Sequence, residues 1–220
     1  MENLKLSPTI EDYLGIMIIL LRDGEPVVGA RLAELLGVTP PTVTNTLKRM
    51  VRDGLVVMDE AGTNLTSQGM EAARSVLRRH MLTEWLLSRM LSWSKLHAQA
   101  HGIEHGISAE LEAAMALELD QPEVCPHGNP LPGFEAVVDR WVALTEIPQG
   151  EAVTIRRIHE LAEEAPELLA FLEARHIMPG VPIVVEEVLP FNQTITLRVE
   201  GQAVSLGNAS ARYIFVERNQ

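Results

Sequence analysis

Cysteine is almost missing from this chain. The 220 residues hold one, Cys125, so no intrachain disulfide can form. Such poverty fits a reducing compartment, and the expected location is the cytoplasm. No run of about 18 apolar residues occurs, so nothing reads as a membrane span. The N-terminus lacks the basic, apolar and small-residue order of a signal peptide. Basic residues are scarce too: 18 Lys and Arg face 30 Asp and Glu, for a formal charge of −12 and a pI near 5.0. That balance argues against non-specific adhesion to nucleic acid, which needs Lys and Arg against phosphates. A local basic face remains compatible with it. Internal repeats and low-complexity tracts are absent as well. What is present is an ordinary apolar fraction, 46%, enough for a real core and against wholesale disorder. The length suits one large domain or two to three small ones.

The pattern along the chain changes three times. Residues 8–75 carry short helical patterns followed by a strand-turn-strand signal, and residues 76–121 are helical by periodicity. Residues 122–133, "PEVCPHGNPLPG", hold four prolines and two glycines and are irregular. From about 150, "AVTIRRI", "VPIVVEEV", "TITLRV" and "ARYIFVE" read as strands rich in Val, Ile and Thr, with one helix at roughly 163–175. Short strands around one helix suggest a small SH3-like barrel. The expected division of this α+β chain is 1–75, 76–133, a linker over 134–150, and 151–220.

In the first segment, "VVGARLAELLGVTPPTVTNTLKRMVRDGLV" holds two helical patterns. The first, about 29–36, has Leu32, Leu35 and Leu36 on one side and stops at Gly37, as a C′ glycine would. Thr39 is a good N-cap, and the prolines behind it sit where a missing N–H is harmless. The second helix runs to about Arg52 with Val43, Leu47 and Met50 inward. "LVVMDEAGTNLT" then suggests a wing hairpin around an Asp-Glu-Ala-Gly turn. The outward face offers Thr42, Thr44 and Asn45, with Thr39 at its start, to base edges in a major groove. Lys48, Arg49 and Arg52 stand further along for phosphates. The order helix, glycine, turn, helix, wing predicts a winged helix-turn-helix that binds double-stranded DNA; the bland alternative is a solvated helix face.

"HAQAHGIEH" places His97, His101, Glu104 and His105 at i, i+4, i+7 and i+8, one stripe on a helix. Upstream, His80 and Glu84 stand at i and i+4. Two such stripes of imidazole and carboxylate predict metal binding. Carboxylate and imidazole suit Mn²⁺, Fe²⁺, Zn²⁺ and Co²⁺; with Cys125 outside the stripes the set lacks sulfur, which tilts the choice towards harder ions such as Mn²⁺. "HGIEH" also fits H-x-x-E-H, a zinc metallohydrolase pattern in which His101 and His105 hold zinc and Glu104 is the base. That pattern is short, and no signal for a substrate cleft accompanies it.

Together "TIEDYL", "TPPTVTNTLKRMVRDGLV", "LRRHMLTEWLL", "HAQAHGIEHGISAELE" and "CPHGNPLPG" resemble the diphtheria toxin repressor family of metal-dependent transcriptional regulators, and within it the manganese transport regulators that keep a C-terminal SH3-like domain. The resemblance implies a main metal site of Asp12, His101, Glu104 and His105. Aspartate at position 12 marks manganese sensors, where iron sensors carry methionine. Histidine at 101 departs from the cysteine or glutamate of relatives. A second site would use His80, Glu84 and His97, completed by Glu160 and Glu163 from the SH3-like domain, with glutamate at 163 in place of the family's glutamine. Gly15, where two-domain manganese sensors carry glutamate, argues against their paired-metal arrangement. Cys125 and His127, two ligand types without a partner pair, are too few for a structural zinc site, and the loop reads as a rigid connector. The implied protein is a homodimer on a palindromic operator. Excess apolar surface in "EWLLSRML" and "SAELEAAMALEL" fits a dimer face, or equally a fuller intramolecular core, and metal would favour the operator-binding dimer.

Overall fold

The computed structural model describes residues 6–59 and 62–219. Its contacts divide the chain into two compact units that part between Arg79 and His80.

In the first unit, α1 (Pro8–Arg22) begins on a proline whose missing N–H falls at an already unpaired position, and it buries Ile10, Tyr13, Leu14, Met17 and Leu20. Two helices follow, α2 (Gly29–Leu35) and α3 (Pro40–Arg52). The turn between them needs a left-handed residue, and Gly37 supplies it at φ +62°. Thr39 caps α3, its hydroxyl accepting from the Thr42 N–H at 3.4 Å. Val43, Leu47 and Met50 are buried as their spacing predicts. The wing is an antiparallel pair, β1 (Val56–Asp59) and β2 (Gly62–Leu65); Glu60 and Ala61, the middle of the expected turn, lie outside the described residues. Behind them α4 (Ser67–Leu87) starts against the wing, where a Cβ on Gly69 would come within 1.9 Å of the Leu55 carbonyl oxygen. A buried ion pair, Arg79 Nη2 to Glu11 Oε1 at 2.9 Å, ties α4 to α1.

The second unit takes up α4 from His80. The periodicity of 76–121 predicts one helical stretch, but the structure breaks it. A 3-10 turn (Trp93–Lys95) leads into α5 (Leu96–His101), a second 3-10 turn spans Glu104–Gly106, and α6 (Ala109–Glu118) follows. Gly102 and Gly106 lack helix propensity, and Ser108 starts α6 afresh by accepting from the Leu111 N–H. The expected straight stripe from His97 to His105 is thus a bent one.

The remainder forms a six-stranded antiparallel sheet in the order β3-β8-β4-β5-β6-β7. The strands are β3 (Val142–Ala143), β4 (Ala152–Ile158), β5 (Pro182–Leu189), β6 (Thr194–Val199), β7 (Gln202–Gly207) and β8 (Ile214–Arg218). The helix expected at 163–175 is α8 (Pro166–Ala174), started by Pro166; a separate short helix, α7 (Glu160–Glu163), precedes it, and α9 (Asn208–Ala211) is a single turn. Leu172 packs into a core with Leu144, Ile155, Leu197 and Val216. The segment 134–150 is not a free linker: β3 pairs with β8, and Leu144 and Ile147 are buried in this core. The architecture is the expected α+β one, with an N-terminal winged helix-turn-helix, a helical segment and an SH3-like domain.

Candidate metal centre

Two ligand clusters lie within the second unit. In the first, ligand atoms of His101, Glu104 and His105 stand within 4.8 Å of one another. Glu104 is buried on the 3-10 turn, with its Oε1 3.2 Å from His101 Nδ1 and 3.8 Å from His105 Nε2. Burial alone would raise its pKa, but hydrogen bonds from His101 and His80 override that and hold it at about 2. Asp12, the further ligand implied by resemblance, lies half-buried on α1 of the first unit, next to the Arg79-bound Glu11.

The second cluster is larger than expected. Glu84, fully buried on α4, has its Oε1 3.3 Å from His80 Nε2, 3.7 Å from His97 Nδ1 and 3.2 Å from His127 Nδ1. Glu163 Oε2 lies 2.9 Å from His97 Nδ1 and 3.4 Å from His127 Nδ1. Three imidazoles therefore surround Oε1 of Glu84, and two of them also face Oε2 of Glu163; the ligand atoms form two groups that share Glu84, one with His80, His97 and Glu163 and one with Cys125 and His127. Despite these distances, neither oxygen of Glu84 nor Nδ1 of His127 meets hydrogen-bond geometry with any described residue. Buried polar atoms are normally paired, and an ion at the centre would pair all of them. His127 Nε2 points at the Trp93 carbonyl oxygen, 3.3 Å away. That contact fixes the tautomer leaving Nδ1 open, the usual outer support of a ligating histidine. This cluster fits a divalent ion.

Without an ion the cluster holds protons instead. Burial lowers the pKa of His80, but its hydrogen bond to Glu104 and the nearby charge of Glu84 outweigh this and raise it to about 9. Burial likewise opposes, and Glu163 and Glu84 produce, the rise of His127 to about 8. Glu84 is driven well down, its burial overcome by the neighbouring His127.

Two expectations change here. Glu160 is not in the cluster: its Oε2 accepts from Arg157 Nη2 at 2.9 Å, so of the expected Glu160 and Glu163 only Glu163 faces the imidazoles. The "CPHG" loop, in turn, is more than a connector. It inserts His127, fully buried, and brings Cys125 Sγ within 4.8 Å of ligand atoms of Glu84 and His127. The donor set thus has sulfur at its edge, contrary to the reading without it. Burial, then the Glu84 and Glu163 carboxylates, push the Cys125 thiol well up. Cys125 and His127, two apart in a stiff Pro/Gly loop, are too few for a site by themselves; their partner Glu84 comes from α4. The fold of the loop is locked by Trp93 Nε1 donating to the Pro126 oxygen and Trp85 Nε1 to that of Val124.

On α3, Thr39, Thr42, Thr44, Asn45, Lys48, Arg49 and Arg52 are all exposed. Thr42 Oγ1 pairs with Thr39 Oγ1 at 2.9 Å, and Thr44 donates to the Pro40 oxygen. Arg49 and Arg52 share Asp53, at 3.7 and 3.3 Å.

The sequence matches the family profile "Iron dependent repressor, N-terminal DNA binding domain" over residues 5–62, "Iron dependent repressor, metal binding and dimerisation domain" over 66–133, and "FeoA domain" over 142–218. It is 33% identical over 227 residues to the iron-dependent repressor IdeR of Mycobacterium leprae, spanning 97% of this chain and 98% of that protein. Among solved structures it resembles the manganese regulator SloR, with a TM-score of 0.79 and 27% identity over 97% of this chain and 100% of that one. ScaR with bound Zn²⁺ matches with a TM-score of 0.80 and 27% identity over 96% and 99%.

Proposed function

The chain belongs to the iron-dependent repressor family of metal-dependent, DNA-binding transcriptional regulators, and from that premise we propose how its own residues divide the work. Two sites take Mn²⁺ or Fe²⁺. The main one uses His101, Glu104 and His105, with Asp12 assigned by sequence resemblance alone. The second uses His80, Glu84, His97, His127 and Glu163, with Cys125 at its edge. The observation that carries this reading is Glu84: a fully buried carboxylate without a hydrogen bond, ringed by three imidazoles.

The protein acts as a homodimer in the cytoplasm. Met90 and Leu117, 73% and 74% exposed, lie in the segment that matches the dimerisation profile and support a self-association face. No described helix is long and apolar enough to cross a membrane. Each α3 reads one half of a palindromic operator through Thr39, Thr42, Thr44 and Asn45, with Lys48, Arg49 and Arg52 on phosphates. Metal favours the arrangement of the dimer whose recognition helices fit both half-sites, by binding that arrangement more tightly. Without metal, protonated imidazoles pair with the carboxylates instead, and the operator-fitting arrangement is no longer favoured.

The hydrolase reading of H-x-x-E-H requires Glu104 to act as a base, yet its carboxylate is engaged by His80 and His101. Peptide hydrolysis lost in Glu104→Gln would support it.

A gel-shift titration on the promoter of a metal-uptake gene, with and without Mn²⁺ or Fe²⁺, tests the regulatory reading. DNA affinity should rise with metal in the wild type and not in Asp12→Ala. Equal affinity in both conditions would overturn the switch.

A further inference from the structure

Glu163 replaces a glutamine expected by resemblance, and a carboxylate in that place needs a donor for the oxygen that does not face the ligands. The structure supplies one. Glu163 Oε2 faces His97 and His127, while Oε1 accepts from Asn129 Nδ2 at 2.5 Å. Asn129 is fully buried, and the same Nδ2 also reaches the Ile158 carbonyl oxygen at 2.7 Å. Its Oδ1 accepts from Arg157 Nε at 2.5 Å. An amide can be turned either way, but here the guanidinium, which only donates, faces one end, and two acceptors face the other. Arg157 in turn is fixed by Glu160 at 2.9 Å and by lying over the Phe215 ring, 4.9 Å from its centroid.

We propose that Asn129 is a positioning residue of the second metal site: oriented by Arg157, it occupies one oxygen of Glu163 and presents the other to the ion as a single-oxygen ligand. The inference rests on the two-site reading above. It gives Glu160 a different task from the one its spacing suggests, as the counter-ion of the relay and not a ligand. It also links metal occupancy to β4 and α7 of the SH3-like domain, because the relay starts on Arg157 and ends on the ligand.

The test uses the full-length protein, stripped of metal and titrated with MnCl₂ by calorimetry; the second site is the one lost in Glu84→Gln. Asn129→Asp is nearly isosteric and keeps an acceptor for Arg157, but removes the donor to Glu163. It should weaken the second site by at least about tenfold, in line with the loss of an outer-shell partner, while the main site stays within about threefold. Glu160→Gln should change the second site by less than about threefold. The visible spectrum of Co²⁺ at this site should change in Asn129→Asp, because Glu163 no longer binds through one defined oxygen; a merely structural role would leave it unmoved. Unaltered metal dissociation and Co²⁺ spectrum in a folded Asn129→Asp would overturn the proposal, as would a Glu160→Gln defect equal to that of Glu163→Gln. Wild-type protein that binds no second equivalent of metal would instead overturn the two-site reading itself.

Discussion

Nδ1 of His80 lies 2.5 Å from Oε2 of Glu104, while Nε2 of the same ring faces Glu84 at 3.3 Å. One imidazole therefore stands between a carboxylate of each ligand cluster. While it bridges them it is charged, and a charged imidazole cannot ligate. An ion on Oε1 of Glu104 draws charge from the carboxylate whose Oε2 helps, with Glu84, to keep His80 protonated, and so eases the release of its Nε2 to the second cluster. Loading the first site should then raise the affinity of the second, a coupling that works equally in reverse. In Glu104→Gln the two sites should titrate independently. Undiminished cooperativity in that variant would contradict the bridge.

The same bridge sets a pH dependence. The folded-state pKa of His80, about 9, lies above the ordinary 6.5, so its charge stabilises the metal-free fold fully below pH 6.5. That contribution fades as the pH rises through 9, and that of His127 fades through about 8. Metal needs the neutral rings of His80, His127 and also His97, where burial is overridden by Glu163 and the pKa stands well above its ordinary value, so affinity should climb between pH 6.5 and 9, with about two to three protons released per chain near pH 7.5. Calorimetry in buffers of different ionisation heat measures this number. A binding heat independent of the buffer would contradict it.

His127→Ala should weaken the second site by at least about tenfold. The ring also packs at a tilt against Trp93, with centroids 4.5 Å apart, so metal-dependent changes in tryptophan emission should shrink with it. Cys125→Ser should act on preference more than on strength. A hydroxyl for a thiol lowers Zn²⁺ affinity relative to Mn²⁺, and competition with a chelating dye reads both. An unchanged Zn²⁺/Mn²⁺ ratio would place the sulfur outside the site.

Local periodicity made α2, α3 and their cap at Thr39 legible, because each is set by residues within four positions of its neighbours. The same signal pairs His80 with Glu84, whereas the grouping of His97 with them comes from the family resemblance. Periodicity failed where the chain turns on itself. Gly102 and Gly106 break a stripe that spacing alone renders straight. His127 and Glu84 are 43 positions apart and meet only because two tryptophans clamp the loop. Glu160 fits the expected spacing as well as Glu163 does, yet Arg157, three residues before it, takes its carboxylate. No motif reports that competition, since it depends on which way α7 faces.

Gly128 is where that loop passes closest to β4. Its φ is +88°, and a Cβ there would stand 1.9 Å from the Arg156 carbonyl oxygen. Gly128→Ala combines a strained backbone with a backbone clash that no side-chain movement relieves. It should lower stability by at least about 2 kcal/mol and loosen the second site with it, because His127 and Asn129 flank the glycine. Denaturant melts of the metal-free protein check the first effect. A midpoint equal to wild type would show that the loop can stand away from β4.

The recognition helix separates into two chemistries that single substitutions should tell apart. Asn45 is exposed near the start of α3 and offers an amide suited to a base edge. Asn45→Ala should reduce operator affinity by about 1–3 kcal/mol, mostly by relaxing preference at one base pair of each half-site. Lys48, exposed one turn on, offers a charge to phosphate. Lys48→Ala should weaken operator and random DNA alike and lower the slope of log K against log salt by about 1 per chain. Arg49 and Arg52 begin paired with Asp53, so each must give up an intramolecular partner to meet DNA. Asp53→Asn, which removes that competitor, should raise affinity for both DNAs without changing the ratio between them. Fluorescence anisotropy with operator and scrambled duplexes across a salt series, in saturating Mn²⁺, measures all three. A sequence-selective loss in Lys48→Ala, or a uniform one in Asn45→Ala, would mean that α3 enters the groove in a different register.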